Sequence, residues 1–242
     1  MQVQFGRIYK EDERDLNFRV SEILGRGAPS IDKKRWWADG WNGDQGNTSQ
    51  CVVYSWSHWF EDGPVIQEII PGRRKPIFDL TRFYDECRLR DGVNLENYEG
   101  TTVRAGAKIF HKLGIIKEYR WAFTLDEVLK AVSYLGPMVV GTTWYASMFN
   151  PTTARHIIRP SGRNHGGHAY LINGIDNHNE LLRIKNSWGT RWGNNGHAFI
   201  RFNDFERLLL DRGEACIAFQ DKVSNVPNLD DLPNRSFKLT KI

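Results

Sequence analysis

Three residues of chemically reactive types, Cys51, His168 and Asn186, lie in three separate stretches of this chain. A cysteine thiolate is a nucleophile, an imidazole can take and return a proton, and a carboxamide can orient an imidazole without adding a charge. If folding brings the three together, they could attack a carbonyl carbon and transfer its acyl group. The elements that carry them must therefore place a sulfur, a ring and an amide side by side.

Cys51 is predicted to lie in the first turn of a helix. A glycine-rich loop ends in Thr48 and Ser49, either of which could cap a helix through its hydroxyl. The unpaired N–H groups and the dipole of a helix start favour the thiolate over the thiol. The alternative is that Cys51 is a small buried core residue, as isolated cysteines often are. The apolar residues that follow have the spacing of one buried helical face; they are Val52, Val53, Trp56, Trp59 and Phe60.

A hairpin is predicted to join His168 to Asn186. Apolar, strand-like runs at 168–175 and 180–186 flank a turn-rich segment, so the start of the first strand meets the end of the second. Asn186 leads into a loop of glycines and tryptophans that could keep a polar pair dry. His165 competes with His168 for the same place. A zinc-binding pair of these two histidines would need cysteine or acidic ligands remote in sequence.

The same stretches carry a family resemblance. Residues 186–197 resemble the asparagine loop of papain-like cysteine peptidases, N-S-W-G-x-x-W-G-x-x-G-[HY], and His168 opens a run that resembles the family's H-A-[apolar]-L-I-x-G. Residues 98–108 are similar to the bacterial-type branch of these C1-type enzymes. The resemblance spans roughly Gln45 to Phe219. It departs from the family at the first motif, where the disulfide-forming cysteine is absent and Val52 replaces a tryptophan.

The resemblance implies roles for five residues. Cys51 would be the nucleophile, His168 the acid and base, and Asn186 the residue that orients the ring, shielded by Trp188. Gln45, with the backbone N–H of Cys51, would form the oxyanion hole. No metal and no organic cofactor would be needed.

The implied function is that of a cysteine endopeptidase acting on protein or peptide substrates. Two alternatives stay open at this point. The first is a catalytically silent structural or assembly protein of the same fold, and the second is a cell-wall amidase with the same chemistry, although the sequence contains no wall-binding repeat.

The implied fold is α+β and papain-like, with a helical lobe, a β-barrel-like antiparallel lobe and a cleft between them. Helices are predicted near 78–90, 102–113 and 124–135, the last with a capping box of Thr124 and Glu127. A strand is predicted at 138–141 and a long surface loop at 145–164.

The chain is expected to form a single unit. We divide it into an N-terminal arm at 1–35, a helical lobe at about 36–125, a β-rich lobe at about 126–220 and a tail at 221–242. The arm is too short for the full inhibitory prosegment that the resemblance would suggest. The arm or the tail could instead bind a protein partner.

Composition restricts the other classes of function. The 242 residues include 40% hydrophobic and 26% charged residues, and the net charge of +4 indicates no nucleic-acid partner. The basic run at 73–75 is more typical of a solvated turn. No signal-like segment opens the chain, and glycines and prolines interrupt the uncharged stretch 131–154, which argues against a membrane span. Three cysteines suit a reducing, cytoplasmic compartment.

Overall fold

The computed structural model describes residues 4–24, 34–63, 79–91, 99–151 and 153–220. The predicted loop at 25–30, the basic run at 73–75 and the tail at 221–242 lie outside the described residues. In the described part, two short 3-10 helices, Glu13–Phe18 and Ala146–Met148, accompany the helices and strands. The helices are α1 Ser21–Leu24, α2 Cys51–Asp62, α3 Leu80–Asp91, α4 Val103–Lys112, α5 Leu125–Tyr134 and α6 Phe202–Leu210. The strands are β1 Lys34–Trp36, β2 Ile116–Ala122, β3 Met138–Tyr145, β4 Ile157–Ile158, β5 Asn164–Asp176, β6 Leu181–Lys185, β7 His197–Arg201 and β8 Glu214–Gln220.

The strands form one sheet in the order β2-β8-β3-β5-β6-β7-β4, and β1 pairs separately with β5. All described pairs are antiparallel except β4 with β7. The long strand β5 is central, because it pairs with β1, β3 and β6. The predicted α+β fold class is confirmed.

The two faces of the sheet bury two separate hydrophobic clusters. Successive side chains of a strand point to opposite faces. Accordingly Val139 and Leu171 belong to the cluster with α2, α3 and α4, whereas Val140 and Ile172 belong to the cluster with α5 and α6. Helix α2 is almost wholly buried because it packs on β5 as well as on α3 and α4. The first residue of α2 therefore meets the sheet directly.

The predicted helices and hairpin are confirmed, with small shifts at their ends. The capping box on α5 forms, since the side chain of Thr124 accepts a bond from the backbone of Glu127 and the carboxylate of Glu127 accepts one in return. The loop predicted at 145–164 contains a 3-10 turn and β4, which is too short to leave a period in the sequence.

Candidate active site

Cys51 is the first residue of α2 and is completely buried. The prediction that Thr48 or Ser49 caps this helix was wrong, because the capping position is Gln50, which makes no side-chain cap bond. The Thr48 hydroxyl donates to the carbonyl of Gln45, and the Ser49 hydroxyl donates to Glu99. Both hydroxyls thus stabilise the loop before the helix instead of the helix itself.

The sulfur of Cys51 is surrounded by backbone. It accepts backbone hydrogen bonds from Ala169 of β5, from Gly6 and from Val52, which act to lower the pKa of the thiol. Burial acts in the opposite direction and is the stronger effect, so the pKa of Cys51 is raised above its ordinary value. The expected thiolate is therefore not the stable form in this closed arrangement, because burial shields the sulfur from solvent.

His168 and Asn186 meet as the hairpin predicts. The two atoms His168 Nε2 and Asn186 Oδ1 are 2.8 Å apart, and the same oxygen accepts the backbone N–H of Ser187 at 2.8 Å. An oxygen that accepts from Ser187 also accepts from the ring, so Nε2 carries the proton. Nδ1 is then the basic nitrogen, and it is buried without a hydrogen-bond partner among the described residues.

Aromatic rings enclose the imidazole of His168. The centroid of the Trp144 ring lies 4.8 Å from that of His168, and the Trp188 centroid lies 4.9 Å away. Phe5 of the N-terminal arm lies edge-on at 5.7 Å. This burial lowers the pKa of His168 to about 4, against the smaller opposing effect of its bond to Asn186. The imidazole is neutral at physiological pH in this arrangement.

Gln45 is held beside the same loop. Its backbone N–H donates to the carbonyl of Ser187 at 2.7 Å, and its Oε1 accepts the Ser187 hydroxyl at 2.6 Å. Its Nε2 donates to the carbonyl of Thr48 at 2.6 Å and to the carbonyl of Gln4 at 3.2 Å. The amide of Gln45 is thus in contact with a backbone carbonyl oxygen of the N-terminal arm.

The arm crosses the site, which the sequence did not reveal. The N–H of Thr101 donates to the carbonyl of Gly6 at 2.8 Å, and the N–H of Ile8 donates to the carbonyl of Thr101 at 2.9 Å. On the other side, the N–H of Arg7 donates to the carbonyl of Gly167 at 3.1 Å. Arm residues 4–8 therefore pass over Cys51, between Thr101, which precedes α4, and Gly167 of β5, with an isolated β-bridge from Arg7 to Thr101.

Gly6 is the one feature of the sequence that could have indicated a close contact between the arm and the rest of the chain. It is the only glycine among the first 24 residues. A Cβ atom built on it would come within 1.9 Å of the carbonyl oxygen of Ser49, so a larger residue cannot lie so close to the loop before α2.

A buried lysine and its acidic partners hold α2 against the hairpin, and this group was not predicted from the sequence. Lys185 of β6 is fully buried, and its Nζ lies 2.8 Å from Asp62 at the end of α2 and 3.0 Å from Asp39. Asp39 in turn lies 3.2 Å from His197, and Asn173 donates to Asp62 at 2.8 Å. A lysine inside the apolar run of β6 was the available signal, because a buried lysine requires partners.

His165 lies apart from the polar pair and packs against Phe149 at 5.0 Å between ring centroids. Across residues 4–24, 34–63, 79–91, 99–151 and 153–220, no group of three histidine, cysteine or acidic residues could hold a metal ion. Cys51, Cys87 and Cys216 are all buried and form no disulfide. In the same ranges, no helix is long and apolar enough to cross a membrane.

Comparison by sequence gives two matches. Residues 97–212 match the family model of the papain family cysteine proteases. An uncharacterized peptidase C1-like protein of Acanthamoeba polyphaga mimivirus is 22% identical over 200 residues, which cover 64% of this chain and 62% of the viral protein. The chain thus spans about three-fifths of the length of that curated relative.

Comparison by structure extends the likeness beyond residues 97–212. Xylellain, a cysteine protease from Xylella fastidiosa, superposes with a TM-score of 0.67 at 18% identity, over 91% of this chain and 97% of the other. The bromelain protease from Ananas comosus superposes with a TM-score of 0.58 at 14% identity, over 79% and 100% of the two chains. Digestive procathepsin L 3 of Tenebrio molitor gives 0.59 at 16% identity, over 81% and 72%.

Proposed function

This chain is papain-like in sequence over residues 97–212 and in fold over most of its length, and from that premise we propose that it is a cysteine endopeptidase acting on proteins or peptides. One observation carries the proposal. The cleft at Cys51 already holds an extended peptide, its own arm, through main-chain hydrogen bonds to Thr101 and Gly167. Bonds to the main chain do not depend on side chains, so the same backbone groups of Thr101 and Gly167 can bind the main chain of a substrate peptide.

The proposed reaction uses four residues. Once the cleft is open, the proton of Cys51 passes to His168, and the sulfur attacks the carbonyl carbon of the peptide bond. The developing oxyanion accepts from Gln45 Nε2 and from the N–H of Cys51. That role of Gln45 is supported by its present contact with the Gln4 carbonyl at 3.2 Å.

The second half of the reaction returns the enzyme to its starting form. His168 gives its proton to the leaving amine, then takes a proton from water as the oxygen of that water attacks the thioester. The C–S bond breaks, the new carboxylic acid leaves, and the sulfur recovers a proton. Asn186 fixes the ring through Nε2, which leaves Nδ1 as the nitrogen that exchanges protons.

In the closed arrangement both partners are neutral. Burial raises the pKa of Cys51 and lowers that of His168 to about 4, so a thiol and a neutral imidazole are the stable forms. Displacement of the arm admits water, which stabilises the charged pair. We therefore propose that the arm restrains activity and that a protein partner can relieve it by binding the arm.

The test is proteolysis of an unfolded protein substrate by the full chain, with new termini identified by mass spectrometry. We expect cleavage by the wild type and none by Cys51→Ala, which removes only the sulfur. Equal cleavage by the two proteins would overturn the proposal. So would the absence of cleavage by a variant in which Cys51 has been shown to be accessible to a small thiol reagent.

The named relatives with solved structures are proteases, which favours the peptidase over the cell-wall amidase and the silent structural protein. We further propose that the chain forms one peptidase unit with the boundaries given above. Its three unpaired thiols support a reducing, cytoplasmic setting. A partner that binds through the tail at 221–242 is a separate proposal, which a pull-down with the tail peptide would test.

A further inference from the structure

A charged side chain of the arm is buried beside the nucleophile. The Arg7 side chain is 3% exposed, and its Nε lies 2.9 Å from Oε1 of Glu214, whose side chain is 9% exposed. Its Nη2 donates to the carbonyl of Arg212 at 2.6 Å, and its Cζ lies 5.0 Å from the centroid of the Tyr9 ring. We call the recess formed by Glu214, the Arg212 carbonyl, Gly141 and Gly167 the guanidinium socket.

Two glycines give this socket its room. A Cβ atom on Gly141 would lie 2.6 Å from Arg7 Nε and 2.9 Å from Glu214 Oε1. A Cβ atom on Gly167 would lie 2.3 Å from the Arg7 carbonyl oxygen and 3.1 Å from Arg7 Cδ. Neither glycine has the left-handed backbone that would by itself favour glycine. Their role is to leave space for a long basic side chain and its backbone.

The guanidinium socket is adjacent to the sulfur of Cys51, because the residue that fills the socket, Arg7, directly follows the residue that contacts the sulfur. Gly6, next to Arg7, supplies a backbone hydrogen bond to Cys51. The backbone of Arg7 is held by Gly167, which immediately precedes His168. A substrate that reaches Cys51 must therefore pass the mouth of the socket.

The direction of the substrate follows from the position of His168. The imidazole protonates the leaving amine, so the part of the substrate after the cleaved bond lies on the side of His168. Phe5 marks that side, with its ring centroid 5.7 Å from that of His168. Arg7 lies on the opposite side of Gly6, where the acyl part of the substrate must lie. A substrate thus runs in the opposite chain direction to the arm.

We propose that the guanidinium socket is a subsite for an arginine or lysine side chain of the substrate, within two residues on the N-terminal side of the cleaved bond. This inference rests on the proposed peptidase function. Glu214 determines the specificity, because a buried carboxylate requires a cation and rejects an apolar side chain. Arg7 fills the socket while the arm lies in the cleft. The competing explanation is that Glu214 serves only to fasten the arm.

The first experiment compares cleavage preferences. Peptides prepared by cleavage after glutamate are digested with three full-length proteins: the wild type, Glu214→Gln and the control Glu118→Gln. Glu118 is a suitable control because its carboxylate pairs with Arg120 at the surface. We expect basic residues enriched before the bonds cut by the wild type and control. Loosening of the arm would change kcat/KM for all peptides alike, so the readout is the ratio of kcat/KM for basic peptides to that for leucine-containing peptides. We expect this ratio to fall about tenfold or more in Glu214→Gln and to stay unchanged in the control. Cleavage without a basic preference would overturn the socket and leave the peptidase proposal intact.

The second experiment does not depend on activity. In full-length Arg7→Ala the socket lacks its cation, and butylguanidine should raise Tm in a concentration-dependent manner. The neutral analogue butylurea should have no such effect, nor should butylguanidine on Arg7→Ala/Glu214→Gln. Equal shifts in the single and double variants, or none in either, would overturn the socket. If a variant whose Cys51 is accessible to a thiol reagent cleaves no peptide while butylguanidine still binds, the peptidase proposal fails and the cation site stands.

Discussion

At the scale of single residues, two different features of its surroundings control the His168 imidazole: a hydrogen bond and burial. The bond from His168 to Asn186 orients the ring, while the burial that shields the bond keeps the ring neutral. The sequence was sufficient to place these two residues in contact, because the hairpin register follows from its apolar runs. It could not give the protonation states, since these depend on Phe5 and Trp144, which come from distant parts of the chain.

His168 should make stability depend on pH. The pKa of this group is about 4 when folded and about 6.5 when unfolded, so the unfolded chain binds more protons between these values. The stabilisation is complete above pH 6.5 and is lost as pH falls towards 4. We expect urea unfolding to show about 2 kcal/mol less stability from this group at pH 5 than at pH 7.

The control for this prediction is His168→Gln, which keeps a hydrogen-bonding side chain but does not titrate. Other groups contribute the same pH dependence to both proteins, so the difference between them isolates His168. Equal slopes of unfolding free energy against pH in the two proteins would contradict the assigned environment.

At the scale of elements, contacts at the C-terminal end of α2 hold the whole helix, and with it Cys51 at its first residue, in position. Lys185 of β6 binds Asp62 in the last turn of α2, and the backbone N–H of Gly40 donates to the same carboxylate at 2.9 Å. These contacts join the helix of Cys51 to the strand that leads into Asn186. The sequence predicted both elements from their apolar periodicity. It could not predict how they are joined, because ion pairs between remote residues leave no local period.

Lys185→Met should destabilise the protein by about 3–5 kcal/mol, because Asp62 would be left buried without its cation. Urea unfolding measures the loss. Lys130→Met is a matched control, since Lys130 is partly exposed and pairs with the exposed Asp126 one turn earlier in α5, and its change should stay within about 0.5 kcal/mol. Replacing both members of the buried pair, as Lys185→Met with Asp62→Leu, should recover part of the stability. Similar losses for Lys185→Met and Lys130→Met would be incompatible with a buried pair.

At the scale of the whole molecule, the arm links both sides of the cleft. Besides its contacts at Cys51, it forms ion pairs from Asp15 to Arg104 of α4 and from Arg19 to Glu127 of α5. The sequence predicts an N-terminal arm at 1–35 but gives no indication of these ion pairs. Its entry into the cleft could not be predicted, because a few backbone hydrogen bonds and one glycine have no distinctive residue pattern.

Gly6→Val should release the arm from the cleft, because a side chain at this position would collide with the Ser49 carbonyl. We expect the alkylation rate of Cys51 by iodoacetamide to rise about tenfold or more, the factor that corresponds to about 1.4 kcal/mol of lost arm binding. Mass spectrometry of the Cys51 peptide gives the rate.

Cys87 and Cys216 act as internal controls, since both are fully buried. If all three thiols react at one accelerated rate, the variant has unfolded, and Arg7→Ala is then used to weaken the arm more gently. A folded variant whose Cys51 reacts no faster than in the wild type would contradict the arm's role as a cover.

Because the covering segment belongs to the same polypeptide, dilution cannot remove it. An attached ligand competes at a local concentration set by its tether, which for short connections is in the millimolar range. A peptide that binds the open cleft only weakly will therefore not displace the arm at any enzyme concentration. A ligand enters only when its concentration divided by its Kd exceeds the local concentration of the arm divided by the Kd of the arm for the cleft.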